Sequence, residues 1–395
     1  MAATASKVKP GLRLPESTSI ATVQALDTTL QLYVKSVNFL NPVIPGHETY
    51  NCPTMAFLIT HQSTGRKILF DAGGRKDYWN YSPLVDGRFK KGVNVRGFRV
   101  DKEVQEVLSD AGIDLNGLES VIWSHWHFDH IGDMSKFPAS VGIVVGPGFQ
   151  DTLLPGYPAN PESPLLETDY SGRDLREIDF RSCPRIGGFK AFDSFGDGSF
   201  YLLDAPGHAI GHMCGLARTT KNTFLLMGAD TCHFAGSLRP TSQVPLPESI
   251  DLLANGLDPQ FPNPCPCSLF EDCHPASVDH EKRTTPWYTA SKAPGSAYVD
   301  PDTANQSILG MQSFDASPDV FVCLAHDPGL FEVLPLLNQN SRNHVNDWKV
   351  KGYKDATRWR FLNELPREGK PGRPPIVYGW WRDGKQVDIE EAFRK

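Results

Sequence analysis

The stretch Ser124–Asp133, SHWHFDHIGD, sets three histidines and two aspartates within ten residues, interleaved with Trp126 and Phe128. It follows SVIWS (Ser120–Ser124), an apolar run of strand character. Side chains alternate along a strand. An extended backbone would therefore project His125, His127 and Asp129 to one side and set Trp126 and Phe128 into packing on the other. His130 breaks that alternation, and Gly132 allows a sharp turn after it. Imidazole and carboxylate groups gathered at a strand end suit Zn²⁺, with iron or manganese as alternatives at the more oxygen-rich position. The competing reading is a loop of scattered polar residues. Placement directly after a strand favours metal.

Working outward, LQLYVKSVNF (Leu30–Phe39), TMAFLIT (Thr54–Thr60) and KILFDAGG (Lys67–Gly74) predict an opening series of strands, with a hairpin turn over 62–66. Val100, Val104, Val107 and Leu108 form the stripe of an amphipathic helix. SVGIVV (Ser140–Val145) is a strand, and SFYLLDAPGH, MCGLART and TFLLMGADT resume the rhythm after a Pro- and Ser-rich stretch. VFVCLAHD (Val320–Asp327) is the last strongly apolar strand. Two segments, 150–190 and 236–316, read as insertions, the second irregular with one helix near Pro247–Asn255. The later half of VNDWKVKGYKDATRWRFLNEL reads as helical. Strands alternating with helices predict one layered α/β domain over 1–395, with a core of about 28–340 and a C-terminal extension, 341–395, packed on it.

The 395 residues carry a formal net charge of -7, which disfavours nucleic acid as a partner. No apolar run has the length of a signal peptide or membrane span, so the expectation is a cytoplasmic chain with a small-molecule partner and no membrane contact. Eight cysteines in a chain of this length make no disulfide framework. Cys265, Cys267, Cys273 and His274 (CPCSLFEDCH) have poor spacing for a tetrahedral zinc and read as a capping loop with incidental thiols. Tyr78, Trp79 and Tyr81 can either wall a pocket or pack; packing is favoured. The sequence leaves the oligomeric state open.

The order of His125, His127, Asp129 and His130, an HxHxDH pattern after a core strand, resembles the signature of the metallo-β-lactamase superfamily. That resemblance implies a four-layer αββα sandwich holding two metal ions, typically Zn²⁺, in the groove between its sheets. His125 and His127 would serve one ion, and Asp129 and His130 the other. The resemblance adds three ligands: His208 in APGH after FYLLDA, Asp230 as a bridging carboxylate closing LLMGAD, and His326 after VFVCLA. It also places Asp71, at the end of KILFD, behind a ligand imidazole as its hydrogen-bond acceptor. His212, in GHAIGH, is not marked by the pattern and reads as structural.

The implied chemistry is hydrolysis by hydroxide held between the ions, with Asp129 as the proton carrier. In the homoserine-lactone-opening lactonases that the core resembles, a tyrosine stands three positions after the bridging aspartate. Here that position is His233, which can donate to an oxyanion or protonate a leaving group, or can simply pack. The two long insertions are expected to form a cap over a small substrate. The sequence is similar to fungal metallo-hydrolases, including lactonase-like proteins and γ-lactamases that open benzoxazolinone-type compounds. The expectation is thus a hydrolase of a cyclic amide or ester, with a thioesterase as the alternative. A basic patch beside the cleft would favour the thioesterase, and RKDYW and RFKKG are its only candidates.

Overall fold

Runs such as MAFLITH and FLLMGA are apolar at nearly every position, a pattern that suits strands covered on both faces. In the computed structural model, which describes residues 12–394, they are inner strands of two six-stranded mixed sheets. The first sheet runs Ala21–Asp27, Met55–His61, Lys67–Phe70, Leu118–Ile122, Gly142–Val145, Leu175–Glu177. The second runs Arg185–Ile186, Phe189–Asp193, Phe200–Asp204, Met213–Arg218, Phe224–Ala229, Val320–Leu324.

Successive residues divide between layers with a period of two. Phe57, Ile59 and Phe70 of the first sheet meet Leu202, Leu225 and Met227 of the second. Their neighbours Leu58, Leu69 and Val121 face the other way and join Val104, Val107 and Leu108 of the helix Val104–Asp110. Leu216, Leu226 and Val322 likewise turn away from the first sheet and join Ile308, Met311 and Phe314 of the helix Pro301–Ala316. The layer order is αββα, as expected.

Three elements differ from the sequence reading. Leu30–Lys35 does not sit with the opening strands but in a separate five-stranded sheet, ordered Lys385–Val387, Gly379–Arg382, Val95–Val100, Leu30–Lys35, Thr49–Asn51. Val100 belongs to that sheet, and the following helix starts only at Val104, where Glu103 and Glu106 form a reciprocal capping box. Within 236–316, the helix near Pro247–Asn255 is a single turn, Leu252–Asn255, whereas the sixteen-residue helix Pro301–Ala316 was not anticipated. Its buried residues are sparse, and polar side chains fill its first turns. Its start was nonetheless marked: Asp300 caps it by accepting from the Thr303 amide, and Pro301 stands at the first turn.

The chain ends are integral to the sandwich. Ala21–Asp27, upstream of position 28, pairs antiparallel with Met55–His61. Asn346 stitches the C-terminal segment to both sheets: its Oδ1 accepts from Val23 N at 2.8 Å, and its Nδ2 donates to Ala21 O at 2.7 Å and Thr219 O at 2.8 Å. Among the described residues, no helix is long and apolar enough to cross a membrane.

The stretch that follows the second sheet's Phe224–Ala229 is tied to the long helix by a buried ion pair. Arg239 Nη2 donates to Asp315 Oδ1 at 2.7 Å and Nε to Oδ2 at 3.1 Å, while Nη1 donates to Arg358 O at 2.9 Å. Removing one partner of such a pair strands a buried charge. Asp315→Asn is expected to lower stability by about 3 kcal/mol or more. Arg66→Gln, which breaks the exposed pair with Glu119, should cost about 1 kcal/mol or less. Equilibrium denaturation of the two variants checks the ranking.

Candidate metal centre

The strand Leu118–Ile122 ends before the histidine-rich stretch, so the expected strand alternation does not continue through it. Instead the chain leaves the sheet irregularly and coils into one helical turn, Phe128–Ile131. That turn sends Asp129 and His130 to one group of side chains, while His125 and His127 join another. Gly132 closes the turn at φ 61°, where a Cβ would stand 2.8 Å from Ala72 O. Phe128 packs edge-on against Phe89, with ring centroids 4.9 Å apart.

All seven residues expected as ligands converge. His208 Nε2 lies 3.1 Å from His125 Nε2 and 3.0 Å from His127 Nδ1, and Asp230 Oδ2 lies 3.4 Å from His208 Nε2 and 3.6 Å from His125 Nε2. On the other side, Asp230 Oδ1 stands 3.2 Å from His130 Nε2 and 3.0 Å from His326 Nε2. Asp129 Oδ2 completes that set at 3.8 Å and 3.5 Å from the same two nitrogens. Each set brings four ligand atoms within 4.8 Å of one another, and Asp230 offers one oxygen to each.

These edges fit a divalent cation. A tetrahedral ion with ligands at about 2.0–2.1 Å has ligand–ligand edges of about 3.3 Å. The buried His130 Nε2, His326 Nε2 and Asp230 Oδ1 have no hydrogen-bond partner in the protein, an arrangement that is costly unless a ligand satisfies them. Burial holds His125 and His208 well below the ordinary imidazole range and His127 at about 3, which keeps their lone pairs available. Burial works against charge at His130 and His326 too, but the Asp230 carboxylate outweighs it and raises both.

The surrounding hydrogen bonds orient these groups. Asp71, at φ 64°, accepts from His130 Nδ1 at 2.9 Å and from Ser124 N at 2.8 Å. His326 Nδ1 donates to Pro53 O at 2.9 Å. His212 donates from Nδ1 to Ala205 O at 2.8 Å and accepts the Asp230 amide at 3.1 Å, so it fixes the backbone of Asp230. Gly207, at φ 119°, lets the APGH turn meet the long helix: a Cβ there would lie 2.1 Å from Ala304 N.

A cavity of about 290 Å³ opens onto this centre. His233 faces it, but both ring nitrogens are engaged: Nε2 lies 3.0 Å from Asp230 Oδ2 and Nδ1 2.9 Å from Tyr298 Oη. The geometry therefore leaves His233 no free N–H for a substrate, and the group beside the cavity is the Tyr298 phenol. Tyr298 comes from the second expected insertion, which lines the cavity through Gly295–Val299; the first reaches it only at Pro164. The opposite wall is the segment Tyr81–Val95. Within the aromatic loop, Tyr78 is buried among Phe98, Trp380 and Phe393, whereas Tyr81 borders the cavity and donates to Phe128 O at 2.9 Å.

Sequence reasoning missed Tyr298, Arg88 and Asn94 in this lining, since nothing in their local pattern distinguishes them. Cys265 and Cys267 join the apolar core, and His274 Nε2 bonds Thr285 O. Neither they nor Cys273 belongs to a candidate metal group among the described residues. A third acidic set, Asp77, Glu103 and Asp133, is already neutralised by Arg75 and Lys136.

Residues 49–224 match the sequence profile of the metallo-β-lactamase superfamily. The metallo-hydrolase mfmC of Annulohypoxylon moriforme is 39% identical over 92% of this chain and 92% of its own length. The chain belongs to the metallo-β-lactamase superfamily. Another relative, the γ-lactamase FDB1 of Fusarium pseudograminearum, is 38% identical over 91% of this chain and 86% of its own. The crystal structure of a quorum-quenching N-acyl homoserine lactone hydrolase aligns with a TM-score of 0.51 over 81% of this chain and 98% of its own. At 15% identity that likeness speaks to the superfamily fold alone.

Asp71 makes one of the site's orienting bonds, so its loss should be felt as cation affinity. Asp71→Asn is expected to weaken divalent-cation binding by about 10- to 100-fold, measured by chelator competition.

Proposed function

We propose that this hydrolase opens the ring of a small cyclic amide or ester at a two-cation centre. His125, His127 and His208 would hold one ion, Asp129, His130 and His326 the other, and Asp230 would bridge them. Zn²⁺ suits both sets, with iron or manganese as alternatives at the set containing Asp129. The observation that carries the reading is Asp230, whose two carboxylate oxygens each face a separate triad of ligand atoms at the floor of a cavity of molecular size. Relatives named as a metallo-hydrolase and a γ-lactamase, at nearly 40% identity, support the substrate class.

Two divalent cations, when bound, acidify a water and polarise the carbonyl it attacks. The remaining work falls to the chain. Asp129 borders the cavity, where it takes the proton released as water adds to the acyl carbon. It returns that proton to the leaving nitrogen or oxygen as the ring bond breaks, giving a carboxylate and an amine or alcohol. Tyr298 Oη, held by His233 Nδ1, contacts the reacting carbonyl. With a proton on Nε2 shared with Asp230, Nδ1 accepts from the phenol; with both nitrogens protonated, the phenol turns its own proton to the cavity. The wall residues Phe39, Trp126 and Phe128 exclude bulk water, which strengthens each of these contacts.

A panel of lactones, lactams and thioesters tests the proposal. Ring opening is expected, with kcat reduced by about 100-fold or more in Asp129→Asn. Tyr298→Phe should lower kcat by about 100-fold at unchanged metal content, whereas a rise in KM alone would make the phenol a wall. Turnover of thioesters and of no cyclic substrate would contradict the reading.

A further inference from the structure

The cavity has two chemically distinct ends. At the floor, its polar side chains are committed: the histidines and aspartates to one another, Tyr298 to His233, Tyr81 to Phe128 O, and Ser296 to Ser291 O at 2.8 Å. The body is apolar, with Leu32, Val34, Leu84, Val85, Phe89 and Val95 on its walls. Two polar groups remain on the segment joining the helix Pro83–Lys90 to the strand Val95–Val100, and neither has a partner.

Arg88 lines the cavity from the last turn of the helix. It is the only lysine or arginine in the lining. Its neighbour Lys90 is paired with Asp86 at 2.8 Å. Among the described residues, the Arg88 guanidinium has neither a carboxylate nor a hydrogen-bond acceptor. Asn94, also in the lining, has a buried Oδ1 with no hydrogen-bond partner. The Val93 amide donates to Arg88 O at 3.1 Å, which folds the loop so that both side chains stand on one wall. A buried carboxamide and an unpaired guanidinium facing an apolar space are unsatisfied as they stand. A guanidinium matches an oxyanion geometrically, and half a turn of the Asn94 side chain presents Nδ2 as a further donor.

We propose that Arg88 and Asn94 form an oxyanion subsite, so that the substrate is an apolar-bodied acid bearing a carboxylate or acidic phenol remote from its scissile bond. The inference rests on the ring-opening reading for its orientation: the reacting carbonyl lies at the Asp230 floor, the apolar body along the walls, and the anion at Arg88. It also places the RFKKG charge. Only Arg88 of that run lines the cavity, as one cation suited to a small acid.

Equilibrium binding of chroman-6-carboxylate, a cyclic ether with no scissile carbonyl, is compared with that of chroman on the full chain, metal-loaded and metal-free. The acid is expected to bind at least about tenfold more tightly, a difference of about 1.4 kcal/mol, in both forms. The preference should disappear in Arg88→Met, return in part in Arg88→Lys, reverse in Asn94→Asp, and shrink with added salt. Equal binding of acid and ether, or a preference that survives in Arg88→Met or appears only with metal, would overturn the subsite. Hydrolysis of dihydrocoumarin and its 6-carboxylate separates the two proposals. Equal kcat/KM for both lactones sinks the subsite and keeps the ring-opening reading. Arg88-dependent binding of the chroman acid with neither lactone opened keeps the subsite and sinks that reading.

Discussion

The carboxylate of Asp230 is the constraint around which the centre is arranged. It is 1% exposed and lies between two sets of imidazoles, and burying such a charge costs several kcal/mol unless it is compensated. Compensation comes from distant parts of the chain. His130 and His326 approach one oxygen, His125, His208 and His233 the other, and His212 receives the backbone amide. Burial alone would raise the Asp230 pKa; the imidazoles hold it well below the ordinary carboxylate range. The backbone bends to deliver it. The parallel pairing of Phe224–Ala229 with Val320–Leu324 shifts register between Met227 and Ala229, and Ala229 adopts φ 42° immediately before Asp230. The same pairing brings His326 to the neighbouring strand end, so one local irregularity serves both residues.

What the sequence made legible were groups whose chemistry is local. His125, His127, Asp129 and His130 are recognisable because four ligand-type residues within one strand-end turn have few other uses, and Asp71, His208, Asp230 and His326 each close an apolar run. The sandwich was legible for a related reason: strands buried on both faces must be apolar throughout. The path between them was not. The single helical turn at Phe128–Ile131 replaced an expected strand continuation, because four residues carry too little periodicity to choose between the two.

The cavity wall was illegible for a different reason. Tyr298, Arg88 and Asn94 acquire meaning only from what they face, and they face it through contacts between segments far apart in sequence. His233 shows the consequence. Its position after Asp230 suggested a direct donor to substrate, yet its two ring nitrogens are taken up by Asp230 and by a phenol from a segment whose own sequence looked irregular. The strands supply the polar floor, while the connecting segments supply the walls and the reach toward substrate. Chemistry is thereby fixed by the sheets and selectivity by what lies over them.

The central claim is that Asp230 bridges two cations. Anomalous diffraction from crystals grown with Zn²⁺ tests it most directly. The account predicts two peaks, one among His125, His127 and His208 and one among Asp129, His130 and His326, with one Asp230 oxygen directed at each. A single peak, or none within reach of Asp230, would contradict it.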